Sequence, residues 1–324
     1  MNFPDLAPWL VARGFAPERI EPLPGDVSPR RYARVRWAER NAEGSAIAAY
    51  YPEEIRPAAE RYLRTSALLE SVEVPVPRVL ASDLSNGWML IEDLGEKTLA
   101  ERLDWDDAAA APYFLHAAEL GRRIASLPAA SLFDEGSNEP WNPPLDEPLL
   151  RRELQQTWDV YLLPRGLLGD VQERRAVEAL FDEICVRLGA EPRVPCHRDF
   201  MARNLIPRAN RPGEVAVIDH QDLRLGPPRY DLASLANDTR FPSAALEAEL
   251  LAALPGAEEV ESYHRAAAQR TIKAVGTYAR FAERGAPRHL PLIPATIERA
   301  LRHLAQIPEG AEIAPSLSRR WRPS

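Results

Sequence analysis

Short apolar runs dominate the chain up to residue 91, and longer helical periodicities follow. Leu6, Trp9, Leu10 and Val11 share a face of a helix expected over residues 5–15, which Gly14 ends. Arg30 to Trp37 and Ser45 to Tyr51 alternate enough to read as strands flanking the turn Asn41-Ala42-Glu43-Gly44. Between Glu60 and Ser71, Leu63, Leu68 and Leu69 recur at helical spacing. Pro77-Arg78-Val79-Leu80 and Gly87-Trp88-Met89-Leu90-Ile91 then read as two further strands around Asp83-Leu84-Ser85-Asn86. The pattern is a small sheet interrupted by one helix.

Beyond Glu92-Asp93-Leu94-Gly95, helical patterns run over Tyr113–Ser126, Glu147–Tyr161, Gln172–Leu188, Leu246–Leu254, Glu259–Arg284 and Ile297–Gln306. Residues 131–146, rich in Pro, Asn, Asp and Gly, are expected as an ordered surface loop. The simplest division is an α+β chain with a nucleotide-binding lobe over residues 1–95 and a helical catalytic and substrate lobe over residues 96–324. The hinge falls near residues 92–96. There is no internal repeat.

With 324 residues the chain has ample core for one large or two modest domains. Acidic groups outnumber basic ones 48 to 40, which argues against a nucleic-acid partner while allowing a local basic pocket. Cys185 and Cys196 cannot make a disulfide-rich scaffold or a structural zinc site, so a reducing compartment is expected. The start Met1-Asn2-Phe3-Pro4-Asp5-Leu6 has no basic stretch before an apolar core, and no run approaches membrane-spanning length. A cytoplasmic protein without a membrane partner or an evident obligate protein partner is expected.

The most informative stretch is Cys196-His197-Arg198-Asp199-Phe200-Met201-Ala202-Arg203-Asn204-Leu205-Ile206, followed by Val215-Ala216-Val217-Ile218-Asp219. Two short strands joined by the turn Arg211-Pro212-Gly213-Glu214 would bring Asn204 and Asp219 toward one point, with Asp199 facing them. Phosphoryl transfer from ATP needs such a set. One carboxylate (Asp199) orients and deprotonates a hydroxyl, while an amide (Asn204) and a second carboxylate (Asp219) hold Mg2+. The alternative is that Asp199 caps a turn, Asn204 bonds backbone and Asp219 closes a hairpin. His197 reads as a general base or as a structural histidine, and Arg203 as a phosphate or substrate contact or as a salt bridge behind the loop. Asp222 is placed to join the acidic site or to bind a sugar, and Asp231 is expected to N-cap an apolar helix.

These motifs resemble the aminoglycoside phosphotransferase-like (choline-kinase-like) branch of the protein-kinase fold. His197-Arg198-Asp199-Phe200 with Asn204 is similar to its catalytic loop, and Ile218-Asp219-His220-Gln221-Asp222 to its metal-binding segment. Together with Gly226-Pro227-Pro228-Arg229-Tyr230-Asp231-Leu232, they most resemble the bacterial anomeric kinases of N-acetylmuramate and N-acetylglucosamine. The resemblance implies a two-lobed kinase-like fold with a small antiparallel-sheet N-lobe and a mostly helical C-lobe. It also implies ATP and Mg2+ as cofactors and a small-molecule amino sugar as acceptor, phosphorylated at the anomeric hydroxyl in cell-wall recycling.

The remaining candidates depend on that fold. Gly25 and Ser28, in Gly25-Asp26-Val27-Ser28-Pro29-Arg30-Arg31-Tyr32, would form the phosphate turn, with Arg30 and Arg31 nearby. The run Ser45-Ala46-Ile47-Ala48-Ala49-Tyr50-Tyr51 carries no lysine where kinases usually place one, so Arg30 or Arg31 is the expected substitute cation. Adenine would lie beneath Met89, Glu92, Asp93 and Leu94, its edge read by backbone groups. Trp158, Tyr161, Arg270 and Lys273 join Arg203 and Asp222 as substrate candidates, with Arg270 and Lys273 on one helical face suited to an anionic lactyl ether or to phosphates. The rival readings are an aminoglycoside or other small-molecule hydroxyl phosphotransferase and a nucleotide-binding regulatory pseudokinase.

Overall fold

The computed structural model describes residues 5–24, 29–39, 42–102, 105–238 and 241–322. The chain forms two compact units, Met1–Lys97 with Ile206–Asp222, and Thr98–Leu205 with Leu223–Ser324.

The first unit is built on an antiparallel sheet of β1 (Arg19–Pro22), β2 (Arg31–Glu39), β3 (Ala42–Tyr50), β4 (Val79–Asp83) and β5 (Trp88–Glu92), in the order β1-β2-β3-β5-β4. Period-two alternation sends Ala46 and Ala48 toward α1 (Leu6–Val11), where they pack with Leu6, Trp9, Leu10 and Leu90. Ala49 and Tyr51 lie on the opposite side with Met89 and Ile91, under Ala59 and Tyr62 of α2 (Arg56–Ser71). Because both faces are covered, β5 is a continuous apolar run. The edge strand β1, Arg-Ile-Glu-Pro, lacks apolar alternation and so escapes a reading by pattern. Pro57 in the first turn starts α2 ahead of its leucine stripe.

Chain order put residues 206–222 with the helical part, but they belong to the first unit. The short strands β7 (Leu205–Pro207) and β8 (Val215–Val217) pair with each other, and the Val217 N–H donates to the Pro75 carbonyl at 2.8 Å.

The second unit is mostly helical: α3 (Asp107–Ala125), α4 (Glu147–Thr157), α5 (Val171–Ala190), α6 (Tyr230–Ala236), α7 (Ala244–Ala252), α8 (Ala257–Glu283), α9 (Ile293–Leu304), α10 (Pro308–Ala311) and α11 (Ala314–Trp321). A two-stranded ribbon of β6 (Val194–Cys196) and β9 (Arg224–Gly226) joins them. The helix expected to reach Tyr161 is α-helical only to Thr157 and continues as a π-turn over Trp158–Leu162. Gly276 lets α8 approach α4 closely, since a Cβ there would lie 2.6 Å from the Thr157 Cα. The Thr157 hydroxyl donates to the Ile272 carbonyl at 2.8 Å across the same contact. No helix among the described residues is long and apolar enough to cross a membrane.

Candidate active site

In the helical unit, β6 delivers the chain into the loop His197–Phe200. The backbone N–H groups of His197 and Arg198 donate to the two oxygens of the Asp231 carboxylate, at 2.7 and 2.9 Å. Asp231 therefore does not cap its helix as expected. It sits inside the first turn of α6, with Arg229 at the cap, and its carboxylate is spent on the loop. Burial pushes the Asp231 pKa up, against the pull of His197 and the two N–H groups. Arg198 has φ 71°, a left-handed conformation that costs a non-glycine residue on the order of 1–3 kcal/mol. The bonds to Asp231, with the Ser234 hydroxyl on the Arg198 carbonyl at 3.1 Å, hold it there.

Asp199 is thereby turned into a cluster of cations. Its Oδ1 lies 3.6 Å from Arg270 Nη1 and its Oδ2 4.0 Å from Arg198 Nη1. Burial opposes its charge, but Lys273, Arg198 and Arg270 outweigh that and hold its pKa well below the carboxylate range. Asp199 is thus ionised at neutral pH and can accept a bond from a hydroxyl. Asn204, at the end of a single 3₁₀ turn, donates Nδ2–H to the Asp199 carbonyl at 2.8 Å. That bond holds the loop and leaves the amide oxygen as the group for a ligand.

Glu153 was not expected here. Its side chain is only 9% exposed, and it accepts from Arg198 Nη2 at 2.9 Å and Gln269 Nε2 at 3.2 Å, with Lys273 Nζ at 3.5 Å. The available signal was its place on the buried stripe Leu150, Leu154, Thr157 of α4, where a carboxylate needs partners. Arg270 and Lys273 do share a region, as their spacing implies, but both point inward. Arg270 is 5% exposed and also donates to the Arg198 carbonyl at 3.4 Å. For Arg203 the salt-bridge reading holds: it makes a bidentate pair with buried Asp238 at 2.9 and 3.1 Å. His197 is fully buried, its ring edge-on to Phe200. Trp158 packs edge-on against Phe181, and the half-buried Tyr161 ring carries Arg165 at 4.3 Å.

In the sheet unit, Asp219 is also left-handed, with φ 61°. Its Oδ1 accepts from Arg30 Nη2 at 2.8 Å and from Gln221 Nε2 at 2.9 Å. Arg30 is hydrogen-bonded to the Tyr32 and Tyr51 side chains as well. Burial penalises its charge, yet Tyr32, Asp219 and Tyr51 more than offset that and raise its pKa. Burial pushes the Tyr32 hydroxyl up to about 12, so Tyr32 stays a neutral partner. His220, fully buried, is hydrogen-bonded to the Thr65 hydroxyl at 2.7 Å and packs at a tilt on Tyr62 with ring centroids 4.3 Å apart, fastening α2 to the Asp219 segment. Asp222 lies half-buried at the end of that turn.

Arg31 takes a different course from Arg30, lying 5.0 Å over the Tyr50 ring. Gly25 and Ser28 lie outside the described residues. Of the hinge candidates, Asp93 makes a bidentate pair with Arg34 at 2.7 and 3.2 Å, and Glu92 pairs with Arg78 at 3.2 Å. Their side-chain carboxylates are thus engaged in ion pairs. Met89 is fully buried under α2 and is a core residue. Among the described residues no three His, Cys, Asp or Glu side chains cluster as metal ligands. The Asp219 carboxylate in the sheet unit and the Asn204 amide oxygen in the helical unit are each of the hard-oxygen kind that magnesium takes.

An antiparallel five-stranded sheet, a helical unit, and an Asp199 loop anchored on a buried aspartate define a kinase-like phosphotransferase. The match to the phosphotransferase enzyme family covers residues 19–269, and the chain belongs to that family. Over 98% of this chain and 96% of its own length, an N-acetylmuramate/N-acetylglucosamine kinase of Pseudomonas aeruginosa is 33% identical to it. A protein of the same name from Neisseria meningitidis is 28% identical over 90% of this chain and 86% of its own. The fold is similar to that of aminoglycoside 2'-phosphotransferase-IIIa in its GDP complex, with TM-score 0.66, 13% identity, and coverage of 94% of this chain and 98% of that one. A choline kinase from Streptococcus pneumoniae matches with TM-score 0.56 and 15% identity over 93% of this chain and 96% of its own. The chain is a small-molecule kinase by family, and its neighbours include nucleotide complexes.

Proposed function

We propose that the protein transfers the γ-phosphoryl group of ATP, with Mg2+, to the anomeric hydroxyl of N-acetylmuramate, N-acetylglucosamine or both. Such a sugar 1-phosphate would serve cell-wall recycling. The observation that carries the acceptor is the near full-length likeness to kinases bearing those two sugars in their name.

In this reading Asp199 accepts the hydrogen bond of the attacking hydroxyl and takes its proton as the bond to phosphorus forms. Asp219 and the Asn204 amide oxygen would hold Mg2+, which neutralises charge on the phosphates when bound. Arg30, held by Tyr32 and Tyr51, supplies the phosphate cation that β3 lacks. Gly25 and Ser28 would complete the phosphate turn, and the backbone near Leu94 would read adenine. Asp222, Trp158 and Tyr161 remain the acceptor candidates.

The test is incubation with ATP, Mg2+ and a panel of amino sugars, with the new phosphate located by phosphorus–proton NMR. Phosphate at position 1 is expected, and the sugar methylated at its anomeric oxygen should not react. Efficient transfer to that blocked sugar overturns the regiochemistry. Transfer to aminoglycosides alone overturns the acceptor class.

A further inference from the structure

Two of the cations near Asp199, Arg198 and Lys273, have a second anion to choose, and that anion is Glu153. Arg198 presents Nη2 to Glu153 at 2.9 Å but leaves Nη1 4.0 Å from Asp199. Lys273 Nζ stands 3.5 Å from Glu153 Oε1. Gln269, one helical turn before Lys273 on α8, donates to the other oxygen of Glu153 at 3.2 Å. The close α4–α8 approach at Gly276 and Thr157, one turn further along, keeps Glu153 against this face of α8. The result is a buried cluster of two carboxylates and three cations, Asp199 and Glu153 with Arg198, Arg270 and Lys273.

We propose that Glu153 is a positioning residue for phosphoryl transfer, drawing Lys273 and Arg198 off Asp199 so that the Asp199 carboxylate stays available to the acceptor hydroxyl. The catalytic use of the pair rests on the kinase reading above. Two like-charged groups cannot share this space without the second carboxylate, because unpaired buried ammonium and guanidinium groups would close on the nearest anion. Without Glu153 that anion is Asp199. Burial lowers the Lys273 pKa while Glu153 and Asp199 support its charge, so the lysine reports directly on the carboxylate beside it.

Glu153→Gln keeps the shape and the Gln269 contact and removes the charge. Its kcat should fall about tenfold or more with the ATP KM within about twofold. Adding Lys273→Met to that variant should restore part of the lost kcat, because no ammonium is left to capture Asp199. A purely structural Glu153 predicts the opposite, further loss of kcat and melting temperature in the double variant, and that result overturns the proposal. Lys97 and Lys273 are the lysines of the chain, so lysine-selective 13C labelling gives each its own signal. The charged and polar groups facing Lys273 are Glu153 on α4, Asp199 and Arg198 on the loop, and Gln269 and Arg270 on α8. The Lys273 titration midpoint should drop by about one pH unit in Glu153→Gln while that of exposed Lys97 stays put. An unmoved Lys273 midpoint overturns the pairing whatever the enzyme does. A shifted midpoint in a protein that transfers no phosphate upholds the pair and removes the kinase reading instead.

Discussion

Arg30 and Asp219 form an ion pair, Nη2 to Oδ1 at 2.8 Å, within the unit whose third strand carries no lysine. Asp219 is itself strained, and Arg30 is fastened by two tyrosines, so the pair is built in rather than a chance surface contact. Arg31, its neighbour in sequence, is committed to Tyr50. Arg30→Ala should therefore raise the KM for ATP about ten- to a hundredfold, the worth of a charge-assisted hydrogen bond, with Arg31→Ala within about twofold. Initial rates against MgATP decide between them, and equal effects would leave the phosphate cation unassigned.

Asp199→Asn should lower kcat by about 10²–10⁴ while sparing nucleotide affinity, since the loop geometry rests on Asp231 and Asn204. Asp219→Asn should act on Mg2+-dependent nucleotide binding. Calorimetry with ADP, with and without Mg2+, beside steady-state rates separates the two. Near wild-type behaviour of both variants removes them from the site.

Asp231→Ala leaves two backbone N–H groups without their acceptors and nothing to hold Arg198 left-handed. Each buried orphan costs about 1–3 kcal/mol, so melting temperature and kcat should fall together. Asp231→Asn, which keeps one acceptor oxygen, should lie between. Thermal unfolding alongside activity tests this, and a fully active, unshifted alanine variant refutes it.

A fourth expectation concerns acid. His303, fully buried, lies 2.7 Å through Nε2 from the Asn237 oxygen and 2.9 Å through Nδ1 from His264 Nδ1. Two protonated rings cannot share that contact, and burial, aided by Arg302, His264 and Arg299, holds the His303 pKa well below its usual value. The unfolded chain then binds the extra proton, so stability rises with pH and is lost as pH falls below about 6.5, by up to about 1.4 kcal/mol per pH unit. Urea unfolding from pH 8 to 5 should show a shallower loss in His303→Gln than in the wild type. An identical slope contradicts it.

Much of the fold and part of the site could be read from the chain because their signals are local. Asp199 and Asn204 are five residues apart on one loop, and the loop closes on itself through the Asn204–Asp199 bond. The sheet and helices follow alternation and helical spacing. Glu153 and His220 act through partners far along the chain, at Arg198 and at Thr65, and no periodicity encodes those meetings. Met89 shows the converse, since an apolar strand residue reads alike whether it faces a ligand or a helix. The edge strand β1 had no pattern to betray it.

The sheet unit takes its second piece, Ile206–Asp222, from beyond more than a hundred residues of intervening helical chain. On the ribosome, its five strands emerge long before the segment carrying Asp219, whose β8 bonds to Pro75. During synthesis the nascent first unit must wait, incomplete, while much of its neighbour is made. A truncation after Lys97 would therefore yield a sheet with an unsealed flank, a fragment prone to sticking to others rather than a free-standing nucleotide module.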